Sequence, residues 1–354
     1  MKIDDLLQHP SEWLKGSGPH ADIVVSSRIR LARNLDIIPF PHWANKKQGE
    51  ESLRAIEQAV AKVDMLKNAT LFKLADLDSV DKQFLVERHL MSYEHAQKAD
   101  SKGVLVDQTE VISIMVNEED HLRMQVMQSG LNLFEAWHVV SRLDDALAKE
   151  LPFAFLADWG YLTACPTNTG TAMRGSVMLH LPALVMTRQI NRVLAAIAKL
   201  SFTTRGLYGE GTQATGNFFQ ISNQVSLGHN EEEIIENINA LIRQIIEQEA
   251  QARQALLSKG KAILEDRISR SFGILKSAHI ISSEETTELL SMLRLGSDLG
   301  IIKNIDRSTI NELFILTQPA HMQKMEGKRL STQERDVKRA EIIRVRLKDK
   351  MIGG

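Results

Sequence analysis

The sequence predicts a mixed α/β domain over residues 1–254, followed by an all-helical domain over residues 255–354. Up to about residue 230, short apolar runs alternate with helical patterns and glycine-bearing loops. An amphipathic stripe of Ile234, Ile238, Leu241, Ile242 and Ile245 then opens a long helix that runs past Leu257 and meets a stop at Gly260. Beyond it glycines thin out and strand signals cease.

The elements follow in order. Leu53, Ile56, Val60 and Val63 keep helical spacing with charges between them. Val111–Val116 is short, branched and apolar, as a buried strand would be. Ser176–Leu181 alternates, with Val177, Leu179 and Leu181 on one face. Asn217–Leu227 reads as a further strand. Leu289, Leu290, Leu293, Leu295, Leu299 and Ile301, then Ile310, Leu313, Phe314 and Leu316, suggest several packed helices.

A chain of 354 residues, 43% hydrophobic, can bury at least one large core. Its net charge of −2 gives no global pull toward nucleic acid or anionic membrane. The single Cys165 excludes an internal disulfide framework and fits a reducing compartment. The N-terminus is acidic, without the apolar stretch of a secretory signal, and no run reaches the roughly 18 apolar residues of a membrane span. A cytoplasmic location is expected.

The chemistry lies in arginine-bearing segments rich in small or acidic residues. In Val24–Arg30 a strand-like entry precedes Arg28 and Arg30, which project from one face because extended side chains repeat every second residue. Asn117–Arg123 carries Glu118, Glu119 and Asp120 in succession, then Arg123; three adjacent carboxylates repel unless a cation shares their site. Cys165–Gly175 combines a cysteine, a proline, small hydroxyl and amide residues, two glycines and Arg174. Arg205–Gly216 has four glycines and suits a loop closing over a substrate. Taken singly, each segment has a plainer explanation: an arginine pair or acidic triplet is usually solvated surface, and a lone cysteine is usually buried and inert. Their ordered joint occurrence favours a nucleoside triphosphate, because planar guanidinium forks grip phosphate and stay charged. A transition-state contact of this kind is worth roughly 3–4 kcal/mol. No GxxxxGK[ST] loop or HRD/DFG set is present, and the glycines of 16–21 follow no strand and include Pro19.

The segments SSRIRLARN, NEEDHLR, CPTNTGTAMRGSVMLHLP and RGLYGEGTQATGNFFQISN together resemble the phosphagen kinases, the ATP:guanidino phosphotransferases. The resemblance implies an α+β catalytic domain, with an antiparallel sheet flanked by helices, acting on ATP with Mg²⁺. It implies that Arg28, Arg30, Arg123, Arg174 and Arg205, with Ser27 beside them, bind the nucleotide. Glu119 would orient the acceptor guanidinium and act as general base, and Cys165 would lie beside that guanidinium. The residue chemistry agrees: a guanidinium with a pKa above ~12 is a poor nucleophile until a carboxylate aligns it and takes its proton. A cysteine in an arginine-rich pocket is expected to be partly thiolate and oxidation-sensitive.

Departures narrow the resemblance. Guanidino kinases carry a small helical domain before the first arginine motif, whereas only about two dozen residues precede Ser26 here. Gln213 stands where a second substrate carboxylate is common, with Glu210 nearby as a replacement, and Met178 where a histidine near adenine is common. With the added helical domain, this pattern is similar to the bacterial protein arginine kinase branch, whose open cleft would receive an arginine on a polypeptide. In that branch the motif RDxxRA, here Arg335, Asp336 and Arg339, is associated with binding phosphoarginine as an allosteric signal. The plainer alternative is a solvated basic helix face. The resemblance also implies a homodimer, a zinc-binding activator protein, and marking of proteins, including a stress-response repressor, for the Clp protease. A small-molecule guanidino kinase and an inactive adaptor are the alternatives.

Overall fold

The computed structural model describes residues 1–206, 215–348 and 351–352. In chain order its strands are β1 (Val24–Arg33), β2 (Thr70–Lys73), β3 (Gly103–Val106), β4 (Ile112–Val116), β5 (Leu122–Ser129), β6 (Phe155–Leu156), β7 (Gly160–Tyr161), β8 (Met173–His180), β9 (Phe202–Arg205), β10 (Phe218–Asn223), β11 (Ile302–Lys303) and β12 (Met351–Ile352). The helices are α1 (Lys46–Val60), α2 (Ser79–Glu87), α3 (Tyr93–Gln97), α4 (Leu133–Ala148), α5 (Pro182–Met186), α6 (Ile190–Lys199), α7 (Glu231–Lys259), α8 (Lys261–Ser277), α9 (Ser283–Asp298), α10 (Arg307–Leu316), α11 (Pro319–Glu326) and α12 (Thr332–Leu347).

Eight strands form one sheet in the order β2-β3-β4-β5-β1-β8-β10-β9, every neighbouring pair antiparallel. The expected α+β class is therefore present. Strand parity divides the central strands into two unlike faces. Ile29, Leu31, Val126, Val177, Leu179 and Ile221 join Leu53 and Ile56 of α1, Leu143 of α4, and Ile238 and Ile242 of α7 in the main core. Gly175 permits this approach: a Cβ there would sit 2.6 Å from Ile238 Cδ1. The opposite face carries the arginines at one end. At the other, Val25, Met127, Met178 and Phe218 pack with Trp13, Leu14 and the C-terminal helices in a second core.

Three expectations change in detail. Helix α7 crosses residue 254 unbroken, and the chain turns at Gly260, so the helical part begins at α8. That part is not wholly helical, because β11 pairs with the two residues of β12; ribbons this short leave no periodic signal. The strand expected over Asn217–Leu227 shortens to β10, ended by Asn223, whose side chain accepts from Gly175 N at 2.8 Å and donates to Met173 O and Val225 O at 3.1 Å each.

Candidate active site

Strand register assembles the cationic surface. Arg28 of β1 faces Met127 and Ser176, and Arg30 faces Gln125 and Arg174. Arg123 faces Ala32 on the same side, and Arg205 stands at the end of β9 opposite Gln220. All five guanidinium-bearing side chains are half-buried. Burial first, then Arg123, Arg174 and Arg205, pushes Arg28 down to about 9. Arg30 is pushed well below its ordinary value by burial and by the other four arginines. Five cations therefore share one basin. Arg28 Nε donates to Ser176 Oγ at 3.3 Å, and Arg174 donates to Ser222 Oγ at 3.3 Å and Thr203 Oγ1 at 3.1 Å. Among the described residues, the buried Nε atoms of Arg30 and Arg123 have no acceptor. Buried charged donors without acceptors are costly, so the basin suits a ligand rich in oxygen and negative charge.

Beside Arg28 a pocket is lined by Trp13, His89, Met127, Met178 and Gln220. The Trp13 and His89 rings meet edge-on, with centroids 5.4 Å apart. Burial and the Arg28 charge push His89 down to about 4, so at neutral pH it is an uncharged flat ring. Such a wall suits a nucleobase. Neither Trp13 nor His89 stands out in the sequence, because no pattern links their distant segments to the arginines.

The acidic triplet divides three tasks within the β4–β5 turn, which opens on Asn117 at φ 60°. Glu118 pairs with Arg123 at 2.5 Å and accepts a hydrogen bond from Ser92; despite burial, Arg123 and Ser92 hold its carboxyl below the usual value. Asp120 is buried and accepts from Asn34 Nδ2 at 2.6 Å and Ala164 N at 2.7 Å. Glu119 alone is exposed. Burial of part of its surface, then Asp120 and Glu118, raises its carboxyl above the ordinary value. The cation that the triplet requires is Arg123.

Asp120 also fastens the Cys165 segment, since Ala164 precedes the cysteine. Cys165 is half-buried, with Sγ 3.0 Å from Thr167 Oγ1. Thr163 Oγ1 donates to Cys165 O at 2.7 Å, which fixes the turn over Pro166–Asn168. Glu119 and Cys165 thus sit on two segments joined through Asp120.

The remaining expected site residues fall elsewhere. Ser27 projects from the opposite face, buried, donating to Gly130 O at 2.7 Å and accepting from Asn132 N at 3.0 Å. Parity explains this, since Ser27 lies between Ser26 and Arg28 on the strand. Glu210 and Gln213 lie outside the described residues. In α12, Arg339 is buried and donates to Thr317 O and Ile281 O at 2.9 Å each and to Asp336 at 2.5 Å. Arg335 is half-buried and donates to Thr332 Oγ1 at 3.2 Å. The helix turns these two arginines to different environments.

A basic sheet face set against one exposed carboxylate is the site of an ATP:guanidino phosphotransferase. The model of the ATP:guanido phosphotransferase C-terminal catalytic domain matches residues 51–252, and that of the protein-arginine kinase McsB C-terminal domain matches residues 261–351. A protein-arginine kinase of Halothermothrix orenii is 52% identical over 348 residues, covering 98% of this chain and 99% of that protein. One of Symbiobacterium thermophilum is 52% identical over 340 residues, covering 95% and 96%. A crystal structure of lombricine kinase superposes with a TM-score of 0.60 at 25% identity, covering 70% of this chain and 72% of the other. The chain belongs to the protein-arginine kinase family of phosphotransferases. Among the described residues, no helix is long and apolar enough to cross a membrane.

Proposed function

We propose that this chain transfers the γ-phosphoryl group of MgATP to arginine side chains of proteins. The observation carrying this reading is the convergence of Arg28, Arg30, Arg123, Arg174 and Arg205 on one sheet face, beside the exposed Glu119. The arginines hold the phosphate oxygens and offset charge on the transferred group. The Nε atoms of Arg30 and Arg123, without an acceptor among the described residues, fit that role. Mg²⁺ arrives with the nucleotide, because this small hard cation is held mainly by phosphate oxygens and water.

Glu119 holds the acceptor guanidinium through its N–H groups and accepts the proton that leaves as nitrogen attacks. The N–P bond forms, the bond between the γ-phosphorus and the β–γ bridging oxygen breaks, and ADP departs. Cys165, on the segment tied to this turn, places its sulfur near the incoming cation. The pocket beside Arg28 receives the base. The open test is acceptor choice: γ-labelled ATP is offered with either a folded protein or free arginine. Label entering only the protein supports the proposal, and equal labelling of free arginine favours a small-molecule guanidino kinase.

Family membership supports the wider setting: a cytoplasmic homodimer with a zinc-binding activator protein, marking a stress-response repressor and other proteins for the Clp protease. The half-buried Arg335, with the Asp336 carboxylate one residue on, is proposed to receive phosphoarginine on α12 as an allosteric signal. Arg339 supports that helix from beneath.

A further inference from the structure

Segment 36–45 presents an indole to solvent beside the acidic turn. Trp43 is 78% exposed, and its ring centroid lies 4.8 Å from that of His42. The backbone beneath is fixed, with Trp43 N and Ala44 N both donating to Phe40 O at 2.8 and 2.9 Å. Phe40 in turn packs edge-on against His121, with ring centroids 6.3 Å apart. Leu35 N donates to His121 Nδ1 at 3.1 Å, so His121 ties this segment to the turn that carries Glu119.

A solitary exposed apolar residue needs no explanation. Trp43 differs through its neighbourhood. His42 lies within electrostatic reach of Glu119, which places the indole's immediate neighbour at the acceptor end of the site. A rigid aromatic plate beside an exposed carboxylate complements a cationic side chain carried on a peptide. The carboxylate takes the guanidinium, while the indole covers apolar stem or backbone at little cost in side-chain entropy.

We infer that Trp43, with His42 against its ring, is the platform on which the polypeptide flanking the acceptor arginine docks while the guanidinium reaches Glu119. This inference rests on the protein-substrate reading above and adds its recognition surface.

The test is steady-state kinetics of the full chain with MgATP and an arginine peptide bearing apolar flanks, comparing wild type, Trp43→Ala and Trp43→Phe. The expected result for Trp43→Ala is a KM for peptide raised about tenfold, with kcat and the KM for MgATP each within about twofold of wild type. Trp43→Phe should recover most of the peptide affinity. An unchanged peptide KM would overturn the assignment. So would a parallel rise in the KM for MgATP, or a halved oligomer mass with unchanged peptide KM, which would make Trp43 a contact between copies. Failure of the wild-type protein to label the peptide at all defeats the substrate reading itself, and this inference with it.

Discussion

Arg30 of β1 stands directly opposite Arg174 of β8 in the antiparallel register. Like charges at such positions repel, and here Arg28, Arg123 and Arg205 add to the same field. The site therefore carries a standing electrostatic cost that a polyanion relieves. Arg30→Ala is expected to abolish the rise in Tm caused by ATP while leaving the ligand-free Tm equal or higher. In wild type, nucleotide at a hundredfold excess over Kd should stabilise by about 2.7 kcal/mol. Thermal denaturation of both proteins checks this, and a lowered ligand-free Tm in the variant would contradict it.

Glu118 and Glu119 are adjacent yet should respond differently. Glu119→Gln removes the proton acceptor and is expected to lower kcat by about 10²–10⁴-fold with nucleotide affinity retained. Glu118→Gln removes the charge partner of Arg123 and should chiefly alter nucleotide affinity. Single-turnover kinetics alongside titration calorimetry separates the two outcomes.

The pH dependence follows from the raised carboxyl of Glu119, caused by burial and then by Asp120 and Glu118. The base must be ionised, so the rate should fall as pH drops through this raised value, and Glu119→Gln should lack that acid limb. Stability runs the other way. Because the folded-state pKa exceeds the unfolded one, this group's contribution is fully present below the unfolded value and is lost as pH rises through the folded value. Rate and denaturation profiles of both proteins over the acidic range test the pair.

Asp120 connects the turn to the cysteine segment, so Asp120→Ala should impair both. It leaves Ala164 N without its acceptor and Asn34 Nδ2 with only Leu162 O at 3.1 Å, at a cost of about 1–3 kcal/mol for the orphaned group. Chemical denaturation should show that loss. Alkylation of Cys165 should also change rate, because its turn is no longer anchored.

In α12 the two arginines of the motif should separate cleanly. Arg339→Ala removes a buried cation with three acceptors and should cost about 3–5 kcal/mol. Arg335→Ala should leave stability unchanged and weaken phosphoarginine binding. Denaturation and calorimetry with free phosphoarginine distinguish a supporting residue from a ligand-binding one.

Much of this was legible in residue order, for local reasons. Alternation placed Arg28 and Arg30 on one face, and the same parity sends Ser27 to the other, where it bonds Gly130 and Asn132. Helical spacing identified the core stripe of α7, and Gly260 its end. Convergence of Arg123, Arg174 and Arg205 depends on strand order, which spacing does not encode; the family resemblance supplied it. The Trp13–His89 wall arises from contact between segments far apart in the chain, with no periodic trace. The buried state of Arg339 was equally hidden, because a charged residue on an amphipathic helix normally reads as solvated.

The most direct measurement is acid-free mass spectrometry of a protein substrate after incubation with MgATP and either wild-type enzyme or Glu119→Gln. The account predicts phosphate on arginine nitrogen with wild type, lost on brief acid treatment, and almost none with the variant. Acid-stable phosphate on hydroxyl side chains, or equal arginine labelling by Glu119→Gln, would contradict it.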